Sequence, residues 1–157
     1  MATGGAVSGF RRFELDGVRD TGREVGHGSY ATVKELEFQG LKCVGKKIHD
    51  ILLKSAMSQE QADMLDRFAG ECELLGGLHH PCIIQFLGVC FEQGSPLPVL
   101  VMEYLHTTLS ACLERYGALP KEISYGILRD VALGLRYLHK HSPPILQGLR
   151  VWHSCWM

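Results

Sequence analysis

Two glycines, a pair of lysines and one glutamate carry the chemistry that this sequence is equipped to do. In Val25-Gly-His-Gly-Ser-Tyr-Ala-Thr-Val33, Gly26 and Gly28 stand two apart among residues that favour strands. A backbone without Cβ atoms can come close to an anion, and its N–H groups can hold phosphate oxygens. Tyr30 would sit at the tip of that loop, with Val25 and Val33 able to pack on the faces of a purine. A lone G-x-G is equally the turn of a plain hairpin, so the loop needs support from elsewhere. Some of it comes from Cys43-Val-Gly-Lys-Lys-Ile48, where a lysine stands among apolar neighbours. Burying such a cation without an anion is costly. Glu71 offers one, three residues after Phe68 and three before Leu74, beside the apolar face of its helix. Alone, the lysine reads as a solvated strand residue and the glutamate as a surface carboxylate; together they read as a grip on a nucleotide phosphate.

The elements that must position these groups follow from periodicity and turn residues. Strands are expected at roughly Arg23–Gly26, Thr32–Phe38 and Leu41–Ile48, joined by short turns that include Gln39-Gly40. Ser58 and Gln61 have the spacing of a capping box, and Met64, Leu65, Phe68, Cys72 and Leu75 follow at helical spacing. Gly76-Gly77 should end that helix by adopting the left-handed conformation. Two more strands are expected at Ile83–Cys90 and Val99–Glu103, on either side of a turn that starts at Gln93. A short helix then covers Thr108–Tyr116 and stops at Gly117. A long one covers Lys121–His139 and stops before Pro143-Pro144. Its stripe of Ile123, Ile127, Val131, Leu135 and Leu138 is widened by Leu128, Ala132 and Leu133, which calls for cover on several sides. The order of elements is that of a small α+β lobe followed by the start of a helical one.

Composition narrows the functional classes. The chain has 157 residues, 46% of them hydrophobic, and a formal charge of -1, which gives no electrostatic case for nucleic acid or an anionic membrane. No apolar run approaches the roughly 20 residues of a membrane helix, and the first residues lack the basic start and apolar core of a secretory signal. None of the six cysteines forms a C-x-x-C pair, so a reduced, cytoplasmic setting is expected. His79-His80 and His139/His141 could be imagined as metal ligands but read better as loop and helix-end residues, and no metal site is expected.

In order along the chain, these motifs resemble those of a protein kinase domain of the tyrosine kinase or tyrosine-kinase-like type. Val25–Val33 is similar to the glycine-rich loop, with Ala31 where the third glycine usually stands. Cys43–Lys46 is similar to the V-A-I-K strand, with Val44 at the adenine-contacting alanine and an unusual Gly45 that could loosen the strand. Glu71 and Leu78–Cys90 resemble helix αC and the segment into the fourth strand, Val101–Leu105 the hinge, and Ile127–Ile145 helix αE and the approach to the catalytic loop. The resemblance implies ATP as ligand. Its binding residues would be Val25, Gly26, His27, Gly28, Ser29, Tyr30, Ala31, Thr32 and Val33 of the loop, Val44, one of Lys46 and Lys47, and Glu71. Met102 would be the gatekeeper, with adenine held by backbone atoms of Glu103 and Leu105. Strand alternation sends the two lysines to opposite faces. Lys46 is preferred for the phosphates because Val44 then shares its face.

The fold implied is α+β: a kinase-like N-lobe of five antiparallel strands plus helix αC, with only the first helices of a C-lobe. Residues 1–12 read as a disordered leader and 13–145 as a partial kinase domain, divided into N-lobe 13–102, hinge 103–106 and C-lobe start 107–145. The segment 146–157 reads as a tail without kinase character. Gln147, Gly148 and Leu149 stand where the family has His-Arg-Asp, and leucine cannot accept a proton. No catalytic residue is therefore expected here, and Mg2+ only if the rest of a C-lobe were present. The change after Ile145 suggests a shifted reading frame or an alternative splice end. Three functions compete: a kinase represented by an incomplete copy, a non-catalytic nucleotide-binding or decoy module, and an unrelated phosphate-binding fold, which the hinge-like segment disfavours. The exposed αE face would attract protein partners or chaperones.

Overall fold

A computed structural model describes residues 13–27, 31–49, 58–92 and 98–145, with the backbone alone at a few positions in the third strand and the first helix. The described chain forms two compact units. One holds the residues up to Leu78 together with Gln85–Tyr104; the other holds His79–Ile84 and the residues from Leu105 onward.

The first unit is a five-stranded antiparallel sheet and a helix. Its strands are β1 (Arg19–His27), β2 (Ala31–Phe38), β3 (Leu41–Ile48), β4 (Phe86–Phe91) and β5 (Pro98–Glu103), in the order β1-β2-β3-β5-β4. Helix α1 (Ser58–Gly76) lies between β3 and β4 in the chain. Gln39 and Gly40 both have positive φ, 50° and 79°, and make the two-residue turn that joins β2 to β3. Strand β1 starts earlier than expected. Gly22 (φ 77°) donates its N–H to Asp20 Oδ1 at 2.7 Å, and the strand continues there through an irregularity in its pairing with β2. Strand β4 starts later than expected, at Phe86, because the Ile83 N–H closes a turn onto the His80 carbonyl.

Both faces of this sheet are apolar at the centre. Against α1 pack Phe68, Cys72, Phe86, Val89 and Leu100, with Phe13, Leu75 and Met102 around them. On the opposite face Leu36, Cys43, Val99 and Val101 form a second cluster, with Leu15, Val18, Phe38 and Cys90 at its edge. The segment from Phe13 serves both clusters. Leu15 donates its N–H to the Val89 carbonyl at 2.8 Å, and the Phe13 ring meets Phe86 edge-on at 5.7 Å.

Phe13 also explains how α1 ends. The helix stops at Gly76 as the sequence suggests, but neither Gly76 nor Gly77 has positive φ. A Cβ on Gly76 would lie 2.7 Å from Phe13 Cε1, so that glycine makes room for a ring. The N–H groups of Gly77 and Leu78 close the end by donating to the carbonyls of Leu74 and Leu75 at 3.1 Å. The capping box expected at Ser58 and Gln61, and the packing expected of Met64 and Leu65, lie outside the described side chains. Gly45 has a related explanation. A Cβ there would lie 2.5 Å from Leu36 Cδ1 and 2.8 Å from Val99 Cγ1, so the second cluster occupies the space that a side chain would need.

The second unit contains α2 (Leu109–Tyr116) and α3 (Lys121–His139). The Thr108 hydroxyl accepts the Ala111 N–H and caps α2, while Gly117 (φ 71°) ends it by donating to the Leu113 carbonyl at 2.8 Å. Gly134 lets α3 approach the Cys82 carbonyl, which would lie 3.2 Å from a Cβ there. Tyr137 accepts the His79 N–H on its hydroxyl at 3.1 Å, and its ring lies 4.9 Å from that of His80. The α3 stripe calls for cover on several sides and is expected to lie exposed in this chain; of the helix residues only Gly134 and Leu138 are buried, and Tyr125, Leu128 and Leu135 are exposed. Among the described residues no helix is long and apolar enough to cross a membrane.

Candidate functional site

Strand pairing assembles the site within the first unit. Val33 pairs with Lys46 across β2 and β3, and Lys46 with Leu100 across β3 and β5. Directly paired residues share a face, and Leu100 belongs to the cluster under α1. Val33 and Lys46 therefore face the helix side. So do Val44 and Met102, which pair with each other. On α1, Glu71 is one residue before buried Cys72 and three after buried Phe68, at the margin of the packed stripe. Lys46 Nζ lies 3.9 Å from Glu71 Oε1, with side chains 39% and 47% exposed. An ion pair so long and so wet contributes little to stability. The ammonium has three donors, and one distant carboxylate does not saturate them.

Lys47 points the other way, as alternation requires. Its Nζ lies 2.8 Å from Glu92 Oε2, with Lys34 Nζ 4.0 Å from the other oxygen of the same carboxylate. Lys34 in turn reaches Asp20 at 3.0 Å. The Gly22 N–H and then the Lys34 ammonium hold the Asp20 carboxyl below its usual range, and Asp20 holds Lys34 above its own. The two lysines thus meet different acids on opposite faces.

The other expected site residues are distributed as follows. Val25 is exposed beside the irregularity between Glu24 and Gly26; Gly26 pairs with Val33 and His27 with Thr32; Ala31 pairs with Ile48. Gly28, Ser29 and Tyr30 lie outside the described residues. The Glu103 N–H donates to the Gln85 carbonyl at 3.0 Å, and its carboxylate accepts the Gln85 N–H at 2.7 Å. Leu105 belongs to the second unit.

Sequence reasoning missed Glu35, the one buried charged side chain among the described residues. Glu35 pairs with Val44 and so lies on the helix side, where Arg23 Nη1 at 3.3 Å and Lys42 Nζ at 3.4 Å neutralise it. The available signal was the match of one acid on β2 to cations on both neighbouring strands. Burial, and next to it the Glu71 charge, pushes the Cys72 thiol up to about 12, and burial first of all pushes Cys90 up to about 11.

A small antiparallel sheet with a lysine on its third strand facing a glutamate on the following helix is the arrangement of a protein kinase N-lobe. A family model for protein tyrosine and serine/threonine kinases matches residues 20–143, and the chain belongs to that family. It is similar to wall-associated receptor kinase-like 14 of Arabidopsis thaliana, 32% identical over 127 residues that cover 78% of this chain and 16% of that protein. It is also similar to serine/threonine-protein kinase CTR1 of Arabidopsis thaliana, at 31% over 78% of this chain and 14% of the relative. A mouse relative, serine/threonine-protein kinase TNNI3K, is 32% identical over 52% of this chain and 10% of its own length. The chain thus spans 16% or less of each of these relatives. Kinases of this family use ATP with Mg2+.

Proposed function

We propose that the first unit is the nucleotide-holding part of a protein kinase and that Lys46 is its phosphate lysine. The observation that carries this is the 3.9 Å approach of Lys46 to Glu71 on the face shared with Val33 and Val44. In this reading Glu71 orients the ammonium and leaves its remaining donors for the α- and β-phosphates of ATP. The backbone around Gly26 approaches the phosphates. Val33 and Val44 flank the purine, and Met102 limits the depth of the pocket. Because the Glu103 N–H is committed to Gln85, any adenine contact from that residue falls to its carbonyl. The N-lobe takes residues 13–102, the hinge 103–106 and the start of the C-lobe 107–145. Mg2+ would be held by the ATP phosphates, and no metal ligand is assigned to the described residues.

Calorimetric titration of the purified chain with ATP and Mg2+ tests the reading. Lys46→Met should weaken binding about tenfold or more, the loss typical of a charged hydrogen bond. Lys46→Met binding as tightly as the parent chain would refute it.

Phosphoryl transfer by the sequence as it stands is not expected, since Leu149 occupies the position of the proton-accepting Asp. Peptide phosphorylation that Lys46→Met abolishes would overturn this. The second reading, a non-catalytic interaction or decoy module, draws on the apolar surface at Tyr125 and Leu128, which are 68% and 63% exposed. Partner capture by the parent chain but not by Leu128→Glu would favour it. The free cysteines suit a reducing, cytoplasmic compartment, which cell fractionation would test.

A further inference from the structure

On the face of the sheet away from Lys46 and Glu71, three strand ends meet in a polar group. Strand β1 ends at His27, β2 begins at Ala31 and β3 ends at Ile48. Thr32 pairs with His27 on one side and with Lys47 on the other. Its Oγ1 lies 2.9 Å from His49 Nε2 and 3.4 Å from His27 Nδ1, and the two imidazole rings stand 5.1 Å apart at 32°. His27 Nδ1 is also 3.2 Å from Glu24 Oε1.

Donors and acceptors match along this row. A ring nitrogen facing a carboxylate carries its proton, which assigns His27 Nδ1 as a donor shared between Glu24 and Thr32. The Thr32 hydroxyl has one proton to give, and His49 Nε2 can accept it. Among the described residues no three His, Cys or acidic side chains suit a metal ion, so the two imidazoles act here through hydrogen bonds.

The position of the row gives it a use. Strand β2 pairs with β3 without interruption from Ala31 to Phe38. Strand β1 pairs with β2 irregularly, with register shifts between Asp20 and Glu24 and between Glu24 and Gly26. The end of β1 is therefore held to β2 by only two consecutive pairs beyond these shifts, Gly26 with Val33 and His27 with Thr32. We propose that Thr32, with His27 and His49, is a clasp that fastens the end of β1 to the regular β2–β3 pair and so positions Gly26 and the strand ends on either side of residues 28–30. These side chains lie on the face opposite Lys46, so they act on nucleotide through the backbone at Gly26 and not by contact. This consequence rests on the nucleotide-holding reading above; the clasp itself does not.

The test uses the full chain in two measurements: amide hydrogen exchange at Gly26, His27, Thr32 and Val33, and calorimetric titration with ATP and Mg2+. Thr32→Val keeps the β-branched shape but removes the hydroxyl. It should raise exchange at those amides and weaken ATP binding by about fivefold, the loss typical of one hydrogen bond. Thr32→Ser should restore both. His49→Leu should reproduce the defect, and His49→Gln, whose amide oxygen can accept the same hydroxyl proton, should largely avoid it. Exchange unchanged in Thr32→Val, or as fast in Thr32→Ser as in Thr32→Val, would overturn the clasp. Faster exchange with unchanged ATP affinity would overturn the positioning role. A parent chain that binds no ATP would sink the nucleotide-holding reading and the positioning role with it, while the exchange comparison would still decide the clasp.

Discussion

The two faces of the five-stranded sheet are built from the same strands yet handle charge in opposite ways. Under α1 the apolar cluster is flanked by Lys46 and Glu71, a half-exposed pair 3.9 Å apart. On the other face the cluster of Leu36, Cys43, Val99 and Val101 is flanked by Lys47 and Glu92 at 2.8 Å, in a chain that continues through Lys34 to Asp20. The shorter ion pair belongs to the face without the expected nucleotide site. A close pair satisfies its own charges, whereas a loose one can accept a third partner. Under the proposed assignment of Lys46 to the phosphates, distance alone ranks these lysines in the wrong order.

The sharpest way to break the comparison is through the apolar clusters. Phe68→Ala should cost about 3–5 kcal/mol, because its ring is buried between α1 and the sheet. Denaturant unfolding would read this, and a loss under 1 kcal/mol would mean that α1 is not fastened as described. On the opposite face Gly45→Ala should cost about 1–3 kcal/mol by overpacking against Leu36 and Val99. The penalty should shrink in a Leu36→Ala background, and equal penalties in both backgrounds would show that the close approach is not its cause.

Next in size is the lysine exchange. Lys47→Met should lower stability by about 0.5–1 kcal/mol, as the side chain is 21% exposed and closely paired, whereas Lys46→Met should leave stability within about 0.5 kcal/mol. Thermal unfolding of both variants checks this, and the reverse ranking would exchange the roles of the two faces.

The smallest effect concerns Asp20. Its carboxyl is held low in the folded chain, so ionised Asp20 stabilises the fold above the ordinary Asp range near pH 4, and that contribution fades as pH falls through the lowered value. Asp20→Asn should therefore cost a few tenths of a kcal/mol at pH 7 and nothing at the acid end, given how exposed the pair with Lys34 is. A cost that persists undiminished in acid would point to the Gly22 turn and not to charge.

Much of this protein could be read from local sequence. Gln39-Gly40 specifies its turn, Gly117 its helix end and the 121–139 periodicity its helix, because each depends on residues within a few positions of one another. The strand-like Cys43–Ile48 and the helical spacing around Phe68 likewise put a lysine and Glu71 on neighbouring elements. Which lysine meets Glu71 was not decided locally: both faces of β3 are apolar at the centre, so periodicity has no solvent side to orient by. Only the packing of α1 on one face made Lys46 the answer. The same holds for Gly45, Gly76 and Phe13, whose roles depend on atoms that the chain brings together from distant positions. Room for a Cβ and a partner for a charge are properties of what lies across the sheet, and only the folded structure supplies them.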